Sequence, residues 1–295
     1  MPALIECVPN FSEGRDEATI AALAEAVRAT PGAALLHQTS DPDHHRTVLT
    51  FAGGPEAVME AAVRLAGVAA ARIDLRHHAG VHPRVGALDV CPFVPIRDFS
   101  LEQCAVLAHW AGNRIWLEHD VPVFFYEEAA LREECRALEA VRRGVLQEDL
   151  LPDLGGPALH PSAGAAVVGA RKVLVAFNVN LASDDLALAR AIARAVREAS
   201  GGLPKVKALG LLIRSAGMVQ VSMNLVDYEV TPILAAYEAV EGLAREAGVE
   251  VRESELIGLA PAAALNAETA ARVKLRDWAE HEMILENQLA KLHLK

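Results

Sequence analysis

The stretch AALLHQTSDPDHHRTVLTFA, residues 33–52, carries the reading of the fold. Its ends, AALLHQ (33–38) and RTVLTFA (46–52), are apolar and partly β-branched, and the DPDHH between them is turn chemistry. Two such runs across a short polar turn make a strand pair. Upstream, Asp16 to Ala29 sets Ile20, Leu23, Ala24 and Val27 on one helical face, and Pro31 and Gly32 end that helix. Downstream, Pro55 opens a second helix with Val58, Ala62, Leu65 and Val68 on its buried stripe. LIECV (4–8) and ALDVCPFVPI (87–96) read as the outer strands. The order is β-α-β-β-α-β, the ferredoxin-like arrangement.

The same order returns later in the chain. KVLVAFNVN (172–180) reads as a strand, and Asp184 to Ala199 as a helix capped by Ser183. VKALGLLI (206–213) and MVQVSMNLV (218–226) pair across RSAG, Thr231 to Ala247 is a helix, and VEVRESEL (249–256) closes the unit. The repeat is one of pattern, not of residue identity. The expected class is therefore α/β (α+β), with two ferredoxin-like βαββαβ subdomains and a ligand cleft between them. Helices are expected near 100–112 and 127–143. The Gly- and Pro-dense loop LPDLGGPALHPSAGA (151–165) is the expected crossing between subdomains, a place that ligand sites favour. The tail from Glu268 to Leu294 reads as one long charged helix.

Composition narrows the class of function. The chain has 295 residues, 52% hydrophobic and 23% charged, so it can bury a large core, which with 4% aromatics must be filled mostly by Ala, Val and Leu. A net charge of −11 argues against a nucleic-acid partner. The four cysteines (Cys7, Cys91, Cys104, Cys135) form no CxxC pair, which fits reduced thiols in a cytoplasmic protein. No signal peptide or run of about 18 apolar residues is present, so no membrane association is expected.

Chemistry concentrates in a few stretches. HHAGVHPRVGALDV (77–90) puts His77, His78 and His82 within six residues, followed by Pro83, Arg84 and Gly86. Metal binding, proton transfer from a rigid loop and a wet surface turn are all open readings. A helical metal pair of His78 and His82 is disfavoured by Gly80 between them and Pro83 after them. The turn DPDHHR (41–46) is either a solvated turn or a polar wall of the same cleft. VPNFSEGRD (8–16) presents Asn10, Ser12 and Glu13 between a strand end and a helix start, where either helix capping or ligand contact would use them. No GxxxxGK[ST] or GxGxxG phosphate loop occurs. In GGLPKVKAL (201–209), Lys205 and Lys207 alternate, so on a strand both would project to one face. They would form either a carboxylate-binding spot or the charged guard of an edge strand.

Taken in order, ECVPNFSEGRD (6–16), RTVLTFAGGPE (46–56), HHAGVHPRVGALDVCPFVPI (77–96), VGARKVLVAFNVNL (168–181) and QVSMNLVDYEV (220–230) resemble the formiminotransferase family. The likeness runs to about Leu265 and corresponds to the glutamate formimidoyltransferase half of formiminotransferase-cyclodeaminase. It implies an N-terminal subdomain over 1–170 and a C-terminal subdomain over 171–295, and no fused cyclodeaminase domain. It also implies tetrahydrofolate as co-substrate, no metal, and a homodimer. The implied reaction moves a formimino group from N-formimino-L-glutamate to N5 of tetrahydrofolate.

By the same resemblance, the catalytic histidine falls on His82, in the HPR-x-GALDVCPF context. Folate contacts fall on Gly155, Gly156, Pro157, Ala158, Leu159, His160, Pro161, Ser162, Ala163 and Gly164. They fall also on Gly201, Gly202, Leu203, Pro204, Lys205, Val206, Lys207, Ala208 and Leu209, with the two lysines as partners of the folate glutamate tail. Asn10, Arg46 and Arg84 are the candidate substrate residues, the arginines for the glutamate carboxylates. Three positions depart from the animal-type pattern: Thr39 and Val81 where an acid is common, and His45 where asparagine is expected. Thr39 and His45 favour the alternative of a related donor, N-formylglutamate or 5-formyltetrahydrofolate. A folate-binding homologue without turnover is another alternative, and metal-dependent hydrolysis, lost to chelator and restored by zinc, is a third.

Overall fold

A computed structural model describes residues 2–78 and 84–291. The chain divides into two compact units, Met1–Lys172 and Val173–Lys295.

In the first unit, β1 (Leu4–Cys7) and β2 (Asn10–Phe11) form one extended run broken at Val8 and Pro9, where proline lacks the N–H that a ladder needs. Both lie between β4 (Arg46–Gly53) and β5 (Leu88–Arg97), and β3 (Ala33–Asp41) pairs with the far side of β4. All these neighbours are antiparallel, which is the ferredoxin-like sheet expected from the 33–52 strand pair.

That sheet is then extended. β7 (Ala166–Ala170) runs parallel to β5, and β6 (Val123–Glu127) parallel to β7. Neither strand is legible from alternation, because VFFY and AVVGA are buried at every position. Strands covered on both faces are continuous apolar runs, which periodicity does not separate from buried helix. The helix expected over 127–143 is shorter and later: residues 128–132 are irregular, Glu133–Cys135 is a 3-10 turn, and the helix is α4 (Leu138–Leu146).

Three helices share one core with the sheet: α1 (Glu17–Arg28), α2 (Pro55–Arg72) and α3 (Leu101–His119). Asp16 caps α1 by accepting from the Ala18 amide, and Ser100 with Gln103 forms a capping box on α3. Val141 of α4 packs in a separate cluster with Val90, Phe124, Tyr126 and Val167. The loop 151–165 belongs to this unit and is not the crossing that its Gly and Pro content indicated. The Asp153 and Leu154 amides donate to the Val123 carbonyl, and the Ala163 carbonyl accepts from Ala87, so both ends of the loop are tied to the first sheet.

The second unit contains β8 (Val175–Leu181), α5 (Leu186–Val196), β9 (Val206–Ile213), β10 (Met218–Leu225), α6 (Ile233–Glu246) and β11 (Val251–Ile257). Its antiparallel sheet runs β11-β8-β10-β9, the second ferredoxin-like pattern. The cap of α5 is Asp185, which takes the Ala187 and Leu188 amides, while Ser183 accepts from Asp185. The single terminal helix is also corrected: α7 (Ala267–Arg272), α8 (Glu280–Met283) and α9 (Leu285–Lys291) are separate. Ser254 of β11 donates to the Lys274 carbonyl and accepts from the Arg276 amide, so sheet pairing takes the backbone groups a helix would need.

Candidate functional site

Three polar side chains from separate elements of the first unit meet. Glu13 sits between β2 and α1, where its Oε1 accepts from the amides of Gly14 (2.9 Å), Arg15 (2.8 Å) and Asp16 (3.0 Å). Gly14 is needed there, since a Cβ would run into the Asp41 carbonyl and the Arg46 amide. His45 ends the DPDHH turn with φ of 51°, in the left-handed region that asparagine and histidine enter more readily than most side chains. His78 follows a 3-10 turn, Leu75–His77, which Asp74 caps through the Arg76 amide.

The two rings pack edge to face, their centroids 4.3 Å apart, with Nδ1 of His45 3.2 Å from Nδ1 of His78. Glu13 Oε2 lies 3.5 Å from His78 Nε2, and Glu13 Oε1 lies 3.8 Å from His45 Nε2. Burial opposes ionisation of Glu13, but the Asp16 and Arg15 amides and the two imidazoles outweigh it and hold its pKa below 4.5. Burial pushes both histidines below 6.5, against the pull of Glu13. At neutral pH the group is therefore two neutral imidazoles beside a carboxylate.

An arginine cluster forms the next part of the site. Asp89, on β5, is fully buried and accepts from Arg46 Nη2 at 2.7 Å and Arg142 Nη2 at 2.6 Å through Oδ2, and from the Val85 amide at 2.6 Å through Oδ1. Arg46 Nη2 also donates to Asn10 Oδ1 at 3.1 Å. The carboxylate partner sought for Arg46 is thus found inside the chain, and Asn10 belongs to the same network. Arg84 differs. Its Nη1 and Nη2 are buried and have no hydrogen-bond partner among the described residues. Burial lowers the Arg84 pKa, and Asp89 is its largest opposing influence. Such a fork suits a planar carboxylate.

The 155–164 loop closes on itself: His160 and Gly164 exchange backbone hydrogen bonds, and His160 Nδ1 accepts from the Ala163 amide at 2.9 Å. Gly164 pairs with Gly86, two residues from Arg84, and a Cβ on Gly164 would strike the Val85 carbonyl. The loop is thereby tied to the histidine segment. His82 and Val81 lie outside the described residues.

The 201–209 stretch belongs to the second unit and leads into β9, the edge strand. Lys205 precedes the strand with φ of 59°, so the strict alternation expected of Lys205 and Lys207 does not hold; Val206 and Ala208 point into the core and Lys207 lies between them.

Sequence reasoning missed a buried polar strip on the second sheet. Gln220 Nε2 donates to Asn180 Oδ1 (2.9 Å) and Glu255 Oε1 (2.7 Å), and Asn178 Nδ2 donates to the same Glu255 oxygen (2.9 Å). Gln220 Oε1 is buried without a partner among the described residues. The available signal was the alternation of Asn178 and Asn180 in VAFNVNL and of Gln220, Ser222 and Asn224 in MVQVSMNL, opposite the apolar positions that fill the core.

Residues 4–171 match the model of the formiminotransferase domain, N-terminal subdomain, and residues 176–294 match that of the formiminotransferase domain. The chain belongs to the formiminotransferase family. Among its relatives, the glutamate formimidoyltransferase of Streptococcus pyogenes serotype M1 is 41% identical over 98% of this chain and 99% of its own length. The glutamate formimidoyltransferase of Thermoplasma acidophilum is 41% identical over 89% and 90%. The formimidoyltransferase-cyclodeaminase of Rattus norvegicus is 43% identical over 90% of this chain, which spans 51% of the rat protein. This formiminotransferase chain has no helix, among its described residues, long and apolar enough to cross a membrane.

Proposed function

We propose that the protein is a glutamate formimidoyltransferase, moving a formimino group from N-formimino-L-glutamate to N5 of tetrahydrofolate. The observation that carries this reading is the end-to-end likeness to the Streptococcus enzyme, 41% identical across 98% of the chain. In the scheme, N5 attacks the formimino carbon to give a tetrahedral intermediate. N5 loses a proton, the glutamate nitrogen gains one, and the carbon–nitrogen bond to glutamate breaks. The products are 5-formiminotetrahydrofolate and glutamate, and the transfer as written uses no metal.

His82 is proposed to carry the proton, since an imidazole with a pKa near 6.5 can both accept and donate it, worth a factor of about 10² to 10⁴. Arg84 is proposed to hold a carboxylate of the donor, on the support of its two buried nitrogens without a partner among the described residues. The loop 155–164 and the 201–209 stretch are proposed to bind folate, with Lys205 and Lys207 near its glutamate tail. Four unpaired buried cysteines fit a reducing cytoplasm. A homodimer is the proposed assembly, and Val106, Trp110 and Leu117, exposed on α3, are the apolar surface it would cover.

Steady-state assays with tetrahydrofolate and each of N-formiminoglutamate, N-formylglutamate and 5-formyltetrahydrofolate test the proposal. Turnover is expected with the formimino donor. Faster turnover with a formyl donor would favour the second reading, for which the departure at His45 and its placement beside Glu13 speak. Tight folate binding with no product from any donor would overturn both.

A further inference from the structure

Glu13, His45 and His78 each offer a donor atom, and the three atoms lie within 4.8 Å of one another. They come from three separate segments, the β2–α1 junction, the 42–45 turn and the end of a 3-10 turn. Two imidazoles and one carboxylate are the donor set of many catalytic zinc and related sites, which leave at least one position open. We propose that these residues form a binding site for a divalent transition-metal ion of the zinc type, held by an imidazole nitrogen of His45, an imidazole nitrogen of His78 and a carboxylate oxygen of Glu13.

One donor atom from each of the three side chains lies within 4.8 Å of the other two, so the cluster needs only side-chain adjustment to close on one ion. The 3.2 Å contact between the rings joins their Nδ1 atoms, whereas the carboxylate faces the Nε2 atoms at 3.5 and 3.8 Å, too long for good hydrogen bonds. The carboxylate is also pre-set, because three backbone amides fix Oε1 and leave Oε2 turned toward His78.

The donor set selects the kind of ion. One carboxylate with two imidazoles does not suit magnesium or calcium, which need several oxygen ligands. An ion with affinity for imidazole takes two of its three protein donors from the rings. The proposal rests on the placement of Glu13, His45 and His78, and metal titration reads it whether or not the formimino-transfer scheme holds.

The test is metal titration of the full chain after chelator treatment, with Zn2+ by calorimetry and Co2+ by visible absorption. One equivalent of Zn2+ should bind saturably, and Co2+ should give ligand-field bands of low-coordinate geometry. Glu13→Gln keeps an oxygen for the three amides and removes the second carboxylate oxygen. His45→Asn keeps a side chain suited to positive φ and removes the ring. Each should weaken Zn2+ binding by at least about tenfold, given that loss of an outer-shell partner alone costs about 10–100-fold. His77→Ala, at a ring 80% exposed, should leave affinity unchanged. Equal Zn2+ affinity in wild type, Glu13→Gln and His45→Asn overturns the proposal. So does a wild-type Co2+ spectrum identical to that of the free ion, a readout that needs no variant to fold.

Discussion

Arg46 Nη2 lies 2.7 Å from Asp89 Oδ2, and neither side chain is more than 9% exposed. Because Arg142 lies 2.6 Å from the same oxygen, this one carboxylate joins β4, β5 and α4. Removing one partner of a buried pair costs about 3–5 kcal/mol, because the charge left behind is uncompensated. Asp89→Asn leaves two guanidinium groups facing an amide. Its unfolding free energy in urea should fall by about that amount, and a loss under about 1 kcal/mol would show that water or other groups neutralise the cluster.

Arg84 should behave in the opposite way. Its Nη1 and Nη2 make no hydrogen bond among the described residues, so replacing them removes no such contact with those residues. Arg84→Lys should leave the melting temperature nearly unchanged while raising KM for formiminoglutamate by about 10–100-fold, at about 1.4 kcal/mol per factor of ten. The KM for tetrahydrofolate should stay constant. A variant whose two KM values rise together would argue against a carboxylate clamp for the donor.

His82→Ala should lower kcat by about 10² to 10⁴ with folate affinity retained, as expected for loss of a proton carrier. Equilibrium folate binding measured beside turnover separates the two effects. Full turnover in the variant removes His82 from the scheme.

The thiols should be inert while the chain is folded. All four cysteines are buried, and burial pushes Cys104 up to about 12 and Cys7 well above its ordinary value. Thiolate is the reactive form, so an aromatic disulfide reagent at pH 8 should label none of the four in native protein and all four in denaturant. Rapid labelling of one thiol under native conditions would contradict the packing around it.

Acid should weaken one surface link in a calculable direction. Hydrogen bonds from Arg114 first, and Arg64 second, hold the Glu60 pKa below its ordinary 4.5. A depressed folded-state pKa means a stabilising contribution present above 4.5 and lost as pH falls through the lower folded value. Glu60→Gln should therefore melt below wild type at pH 7, and the gap should close in stronger acid. A gap independent of pH would place its cause in packing, not charge.

Residues 33–52 and their flanks determined the ferredoxin-like order, because turn chemistry and helical periodicity are local properties that survive without tertiary context. The family likeness was equally legible, since it rests on residue order along the whole chain. Tertiary structure alone decided β6 and β7: strands buried on both faces carry no alternation, and their parallel pairing with β5 joins segments far apart in sequence. It alone broke the charged tail, where pairing with Ser254 outcompeted helix formation. The site divides in the same way. Arg84 stood out in its motif, but that Arg46 is bonded to Asp89 while Arg84 Nη1 and Nη2 find no described partner is a matter of distance in space. So is the meeting of Glu13, His45 and His78, whose separations along the chain no spacing rule connects.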